Sequence, residues 1–91
     1  MKTLDEKRVE LKMALRDLRK AEMDANKKEW EYEKHPEDRR AELAFDRAYK
    51  KEFSLYEKCA RLLKEFTNGQ IDRATARMML HTQRNKIESM I

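Results

Sequence analysis

The chain has one proline and one glycine in 91 residues, and they mark the two places where helical sequence is interrupted. A chain with so few turn-forming residues cannot make the many tight connections that a β-sheet fold needs. The sequence therefore predicts an all-α fold built from a few long helices. Its length suits a single helical domain, residues 1–91, and is too short for two.

The two interruptions predict where the helices begin and end. Pro36 disfavours helical geometry in the residue before it, yet it fits the first turn of a new helix. Gly69 suits a left-handed residue at a helix end, and Asp72 beyond it is a typical helix N-cap. These signals predict helix 1 at about 3–34, helix 2 at about 36–67 and a shorter helix 3 at about 72–90.

Apolar residues recur every seven positions in the first two predicted helices, as in coiled coils. Helix 1 has this repeat at Leu4, Leu11, Leu18, Ala25 and Tyr32, and helix 2 has it at Ala41, Ala48, Leu55 and Leu62. A short connection at Pro36 forces the helices to run antiparallel, which sets Leu18 opposite Leu55. We therefore expect a long antiparallel coiled-coil hairpin.

This register leaves one flank of the hairpin apolar, with Leu15 facing Tyr56 and Glu22 facing Tyr49. Helix 3 is expected to cover the flank and give a bundle of three helices. The apolar residues of helix 3 lie on more than one face, which is more than a single docked face requires. A homodimer completed through helix 3 is therefore a further expectation.

No arrangement typical of catalysis stands out, so we assign no catalytic residue and expect a protein that is not an enzyme. Cys59 falls on the predicted seam as a small core thiol, and buried unpaired thiols are usually inert. One cysteine with two distant histidines, His35 and His81, does not match a zinc site, and no glycine-rich phosphate loop is present. We therefore expect no metal and no other cofactor.

The chain is expected to work in the reducing cytoplasm. Cys59 has no cysteine partner, which excludes an internal disulfide and is typical of intracellular proteins. No apolar run is long enough to span a membrane, and the charged residues from Lys2 onward do not resemble a signal peptide.

Glu52 is a carboxylate on the predicted seam, with Ala21 opposite it. One interpretation is that its side chain reaches solvent or pairs with Lys28, Lys20 or a residue of helix 3. The other is a polar seam residue that gives up stability to fix the helix alignment, or that holds open a site for a basic partner.

Aromatic, methionine and arginine side chains near the hairpin turn form the candidate partner-binding surface. Met23 and Trp30 occupy outward heptad positions that should face water. The end of the hairpin lies beyond the reach of helix 3, so we expect it to be aromatic and partly open. The residues assigned to partner binding are Trp30, Met23, Tyr32, Phe45, Tyr49, Arg39 and Arg40. Trp, Tyr and Arg are the types that most often anchor protein contacts.

These features predict a small protein-interaction module, acting as an adaptor, inhibitor or regulator of a larger protein machine. Such a chain would suit an accessory gene of a virus or mobile element. The alternative function is nucleic-acid binding, in which Lys and Arg clusters neutralise phosphates and aromatic side chains stack on unpaired bases. The charge balance argues against it, because carboxylates interrupt every basic run. A helix-turn-helix at residues 61–86 fits poorly, because Glu65 stands where that motif has a small apolar residue.

Overall fold

The computed structural model describes residues 1–91 and contains four helices and no strand, which confirms the all-α prediction. The helices are α1 (Leu4–Lys34), α2 (Arg39–Phe66), α3 (Arg73–Thr82) and α4 (Arg84–Met90). α1 and α2 pack closely as a hairpin and set the long axis of a molecule that measures 49 × 23 × 18 Å. No helix combines the length and the apolar character required to cross a lipid bilayer.

Side-chain caps define where α1, α2 and α3 begin. Thr3, Asp38 and Asp72 each accept a hydrogen bond from a backbone N–H of the following turn, at 3.1, 2.9 and 2.7 Å respectively. Such caps satisfy donors that have no partner within the helix. Asp72 is the cap that the sequence predicts for the third helix.

The predicted start of the second helix at residue 36 is wrong by three residues. Residues 35–38 form a turn in which the Asp38 N–H donates to the His35 carbonyl at 2.9 Å. The Asp38 side chain then caps the helix, so Pro36 lies in the turn rather than in the first helical turn.

The turn between α2 and α3 contains two residues in the left-handed region. Asn68 has a φ of 54° and Gly69 a φ of 82°. The Gly69 N–H donates to the Lys64 carbonyl at 2.9 Å, which satisfies one of the carbonyls left free at the end of α2. Gly69 therefore ends the second helix as predicted.

The prediction of one continuous third helix over residues 72–90 is wrong, because the chain bends between α3 and α4. Gln83 leaves helical geometry with φ −138° and ψ 41°, while its N–H still donates to the Met79 carbonyl at 2.7 Å. A straight helix would carry Ile87 on toward the hairpin turn. The bend returns it to the main core, where Leu80 and Ile87 are both buried.

One core of twelve buried residues draws on all four helices. Its members are Leu11, Ala14, Leu15, Leu18, Tyr56, Cys59, Ala60, Leu62, Leu63, Ala76, Leu80 and Ile87. This core fills the base half of the molecule, residues 1–20 and 56–91. In the tip half, residues 21–55, the buried side chains are Ala21, Ala25 and Ala48, which leave little apolar volume between the helices.

α3 runs along α2 from the second turn toward the hairpin turn, and α4 returns across α1. Together they cover the flank that the sequence predicts to be apolar, and Leu15 and Tyr56 are buried beneath them. Four ion pairs hold them to the hairpin: Arg73–Glu57, Arg77–Glu57, Arg84–Glu22 and Arg19–Glu88. The helical cover ends near Tyr56. Beyond it the Arg77 and His81 side chains reach the groove around Phe53 and Glu52, and Tyr49 remains 58% exposed.

Candidate functional site

Three aromatic side chains form a cluster in the tip half. The ring centroids of Tyr32 and Phe45 are 6.0 Å apart, those of Phe45 and Tyr49 are 6.3 Å apart, and both pairs are edge to face. Tyr32 lies near the end of α1, whereas Phe45 and Tyr49 lie one turn apart on α2, so the cluster bridges the two helices. Tyr49 is 58% exposed, which leaves much of this aromatic surface open.

A groove of about 510 Å³ opens beside this cluster. Its walls are Tyr32, Arg39, Glu42, Leu43, Phe45, Asp46 and Tyr49. The charged members are paired at the edge: Arg39 with Glu42 at 3.5 Å, and Asp46 with Lys50 at 3.0 Å. An aromatic floor with a charged rim is the usual anatomy of a protein interface.

The structure brings four of the seven predicted binding residues to this groove and places three elsewhere. Tyr32, Phe45, Tyr49 and Arg39 lie in the groove. Met23 and Trp30 project from the outer face of α1, where they are 72% and 56% exposed. The ring centroid of Trp30 lies 3.8 Å from the Lys34 Nζ, a cation–π contact. Arg40 is exposed at the start of α2 and does not line the groove.

A polar network joins α1, α2 and α4 at the boundary between the two halves. Arg84 binds both carboxylate oxygens of Glu22, with one N–O distance of 3.1 Å. The Tyr56 hydroxyl donates to Glu22 at 2.5 Å, and the His81 ring stacks on Tyr56 with the centroids 4.4 Å apart. The sequence placed Glu22 opposite Tyr49 and gave no signal for Arg84, because only the bend at Gln83 brings Arg84 to α1.

This network perturbs the ionisation of its members. Burial raises the pKa of the Glu22 carboxyl, but the hydrogen bonds from Arg84 and Tyr56 outweigh burial and hold that pKa below its ordinary value. Burial, followed by the hydrogen bond to Glu22, raises the pKa of Tyr56 to about 12. The hydrogen bond to Glu22 also raises the pKa of Arg84. Glu22 is therefore a carboxylate that Arg84 neutralises.

Glu52 lies partly buried in a shallow groove of about 240 Å³ with Tyr49, Phe53 and His81. It takes part in none of the ion pairs, including the expected pairs with Lys28 or Lys20. Burial, and after it the negative charges of Glu22 and Glu29, raise the pKa of the Glu52 carboxyl. Glu52 is thus a carboxylate in an environment that disfavours its charge.

The grooves beside Phe45 and beside Glu52 share Tyr49 as a lining residue. We call the surface of these two grooves the open strip and define it by Tyr32, Phe45, Tyr49, Glu52 and Phe53. It continues the aromatic row of which α3 covers Tyr56. α3 reaches the strip with the Arg77 guanidinium, which lies 5.5 Å from the Phe53 ring centroid.

The base half carries most of the positive charge. It has fourteen Lys and Arg residues against eight Asp and Glu, a net charge of +6, whereas the tip half has eight against ten, a net charge of −2. A groove of about 410 Å³ beside the second turn has no apolar lining residue and includes Lys7, Arg61, Lys64 and Arg73. The two ends of the molecule therefore differ in chemistry.

Other reactive groups do not form a site. Cys59 lies in the core, where burial raises the pKa of its thiol to about 11. No three His, Cys, Asp or Glu side chains are grouped so that they could hold a metal ion. Comparison of the chain with protein-family models, curated proteins and solved structures found no match.

Proposed function

We propose that this chain is a protein-interaction module, without enzymatic activity, that binds another protein through the open strip. The observation that carries the proposal is the end of the α3–α4 cover at Tyr56. The same aromatic row continues uncovered through Tyr49 and Phe45 to Tyr32. Exposed aromatic side chains on a rigid helical scaffold are typical anchors of protein contacts. A module of this kind would act as an adaptor, inhibitor or regulator of a larger protein machine.

A competition experiment tests the proposal. A photo-cross-linking amino acid replaces Leu43, which lines the groove, and the purified protein is irradiated in a cell extract. We expect a discrete adduct that excess unlabelled wild-type protein suppresses. Tyr49→Ala protein should fail to compete, because it lacks the exposed ring, whereas Met13→Ala protein, altered at an exposed residue of the base half, should compete fully. Equal competition by both variants, or no adduct, would refute the proposal.

The second candidate function is nucleic-acid binding through the groove of the base half. Arg61 and Lys64 of this groove form none of the ion pairs, so their charges are free to neutralise phosphates. The negative net charge of the tip half makes the open strip a poor surface for nucleic acid.

Fluorescence anisotropy with RNA, single-stranded DNA and duplex DNA at two salt concentrations tests this second candidate. Binding by phosphate contacts weakens steeply with salt. It should also weaken in the Arg61→Gln/Lys64→Gln double variant and persist in Lys50→Gln, a control in the tip half. Absence of binding at low salt would rule this candidate out.

A further inference from the structure

We infer that the ligand of the open strip is a basic amphipathic helix of the partner protein, lying on α2 in line with α3. This inference rests on the proposed function and adds the shape and the charge of the segment that binds.

The chain itself shows how a helix docks on this side of α2. α3 places the His81 ring on Tyr56 and the Arg77 guanidinium over Phe53, while Arg77 also pairs with Glu57 at 2.9 Å. Leu80 of the same helix is buried in the core. α3 thus buries an apolar side chain in the core, and its basic side chains beside that residue contact aromatic rings and a carboxylate of α2.

The open strip has no helix of this chain lying on it, although the Arg77 guanidinium of α3 reaches Phe53 at one end. Measured from Glu42, at the rim of the groove beside Phe45, to Phe53, this side of α2 is about 17 Å long, at about 1.5 Å per residue. That length holds about three turns of a docked helix. Tyr49 lies one heptad before Tyr56 and Asp46 lies one heptad before Phe53, so a partner helix placed on α2 as α3 is would meet an aromatic ring and a carboxylate.

The charge of the strip selects a basic occupant. Glu52 lines the strip, and neither it nor Glu29 forms an ion pair, while the tip half as a whole has a net charge of −2, so negative charge there is repelled. Glu42 and Asp46 are further carboxylates at the rim of the neighbouring groove, where Arg39 and Lys50 pair with them. Lysine or arginine side chains of a docked helix would relieve this repulsion, as Arg84 does for Glu22. An acidic helix would increase it.

A second copy of this chain fits the strip less well. The helices that carry the matching pattern, α3 and α4, have Ala76, Leu80 and Ile87 buried within their own molecule. They would have to leave the core before they could dock on a neighbour. A helix from a different protein carries no such cost.

Selection from a displayed peptide library tests the inference against the intact protein. The library consists of helical peptides of about 14 residues, long enough to fill the strip at about 1.5 Å per residue. One face is fixed as Leu and Ala, and the flanking positions are randomised among Lys, Arg, Glu, Asp and Gln. We expect the selected peptides to carry a net positive charge and to bind less tightly as salt rises.

Variants of the protein then locate the bound peptide. A selected peptide should lose at least about tenfold in affinity for Tyr49→Ala, since a central aromatic anchor is worth about 1.4 kcal/mol or more. It should lose a smaller factor for Glu29→Gln/Glu52→Gln. Met13→Ala and Glu33→Gln, at exposed positions outside the strip, serve as matched controls and should leave the affinity unchanged. Circular dichroism confirms that each variant is folded.

The outcomes separate the inference from the proposed function. The inference would be wrong if the selected peptides were neutral or acidic and still required Tyr49. It would also be wrong if they were basic but bound the Glu29→Gln/Glu52→Gln variant with unchanged affinity. Either result would leave the proposed function standing. Selected peptides whose affinity is unchanged by Tyr49→Ala would contradict both the inference and the proposed function, because they would bind outside the strip. If no peptide is enriched, the inference fails, and competition at the Leu43 cross-link decides the proposed function alone.

Discussion

Glu22 and Glu52 are neighbouring carboxylates whose surroundings shift their pKa values in opposite directions. Arg84 and Tyr56 hold the pKa of Glu22 below its ordinary value despite burial. Glu52 is also partly buried but has no ion-pair partner, and burial together with the charge of Glu22 raises its pKa. The difference arises because Arg84 and Tyr56 are hydrogen-bonded to Glu22 and not to Glu52, so burial is the dominant influence at Glu52.

Glu22→Gln should lower the free energy of unfolding by about 1 kcal/mol at neutral pH, because it removes charge-assisted hydrogen bonds at a site that is still partly open to water. A lowered folded-state pKa means that the contribution of Glu22 is complete above its ordinary pKa of 4.5 and is lost as pH falls through the folded value. Urea unfolding at pH 7 and near pH 3 measures this. Glu33→Gln, which is exposed, is the control, and an equal effect at both pH values would contradict the assignment.

Glu52→Gln should have the opposite effect and raise the melting temperature at pH 7. Because the folded-state pKa of Glu52 is raised, its contribution favours the folded state below 4.5 and is lost as pH rises through the folded value. The gain on substitution should therefore shrink near pH 4. Thermal melts at the two pH values test it, and a loss of stability at pH 7 would show that Glu52 has a partner in solution.

The sequence predicted the position of Glu52 but not the neighbouring contact between Arg84 and Glu22. Heptad counting locates Glu52 on the seam because spacing along one helix is a local property. The approach of Arg84 to Glu22 depends on the bend at Gln83, which is neither glycine nor proline and gives no local signal.

At the level of elements, the heptad pattern identified the face that the hairpin buries but not how deeply each position lies. Leu11, Leu18, Leu62 and Cys59 of the predicted seam are all buried, whereas Leu55 is only partly so. The core is concentrated in the base half because α3 and α4 add a layer there. Depth therefore depends on where α3 and α4 dock, which periodicity within α1 and α2 cannot show.

Leu18→Ala should lower the free energy of unfolding by about 2–5 kcal/mol, the usual cost of truncating a fully buried leucine. Leu55→Ala should cost distinctly less, because part of its side chain already contacts water. Chemical denaturation of the two variants measures the difference. Equal costs would mean that the two positions are equally buried in solution and would count against this packing.

At the level of the whole molecule, the two halves differ in apolar packing as well as in charge. The buried residues of the tip half are Ala21, Ala25 and Ala48, which remove little apolar surface from water. The base half buries leucine and isoleucine from four helices. The open strip therefore lies on the half with less apolar packing, and we expect that half to open more readily.

Hydrogen exchange should reveal this gradient. Amides of residues 25–34 and 39–48 should exchange faster than those of residues 11–18 and 56–63, because local opening of the tip half exposes less apolar surface. A selected basic peptide should slow exchange in the tip half and leave the base half nearly unchanged. Uniform protection along α1 and α2 would contradict this difference in stability.

Self-association through the C-terminal helices is the remaining expectation for the whole molecule. Met78 and Met90 are the large apolar residues of α3 and α4 that remain exposed. If they join two copies, light scattering at several concentrations should show a dimer that Met78→Glu converts to a monomer. A wild-type chain that is monomeric throughout would rule this dimer out.

The bend at Gln83 determines whether the chain's own last helix lies beside α2. A chain that stayed helical through Gln83 would extend its last seven helical residues about 10 Å farther beside α2 and over Tyr49. The chain's own last helix would then cover Tyr49. Because the bend folds that helix back on α1, the Tyr49 ring stays exposed, and a substitution that straightened the bend would bury it.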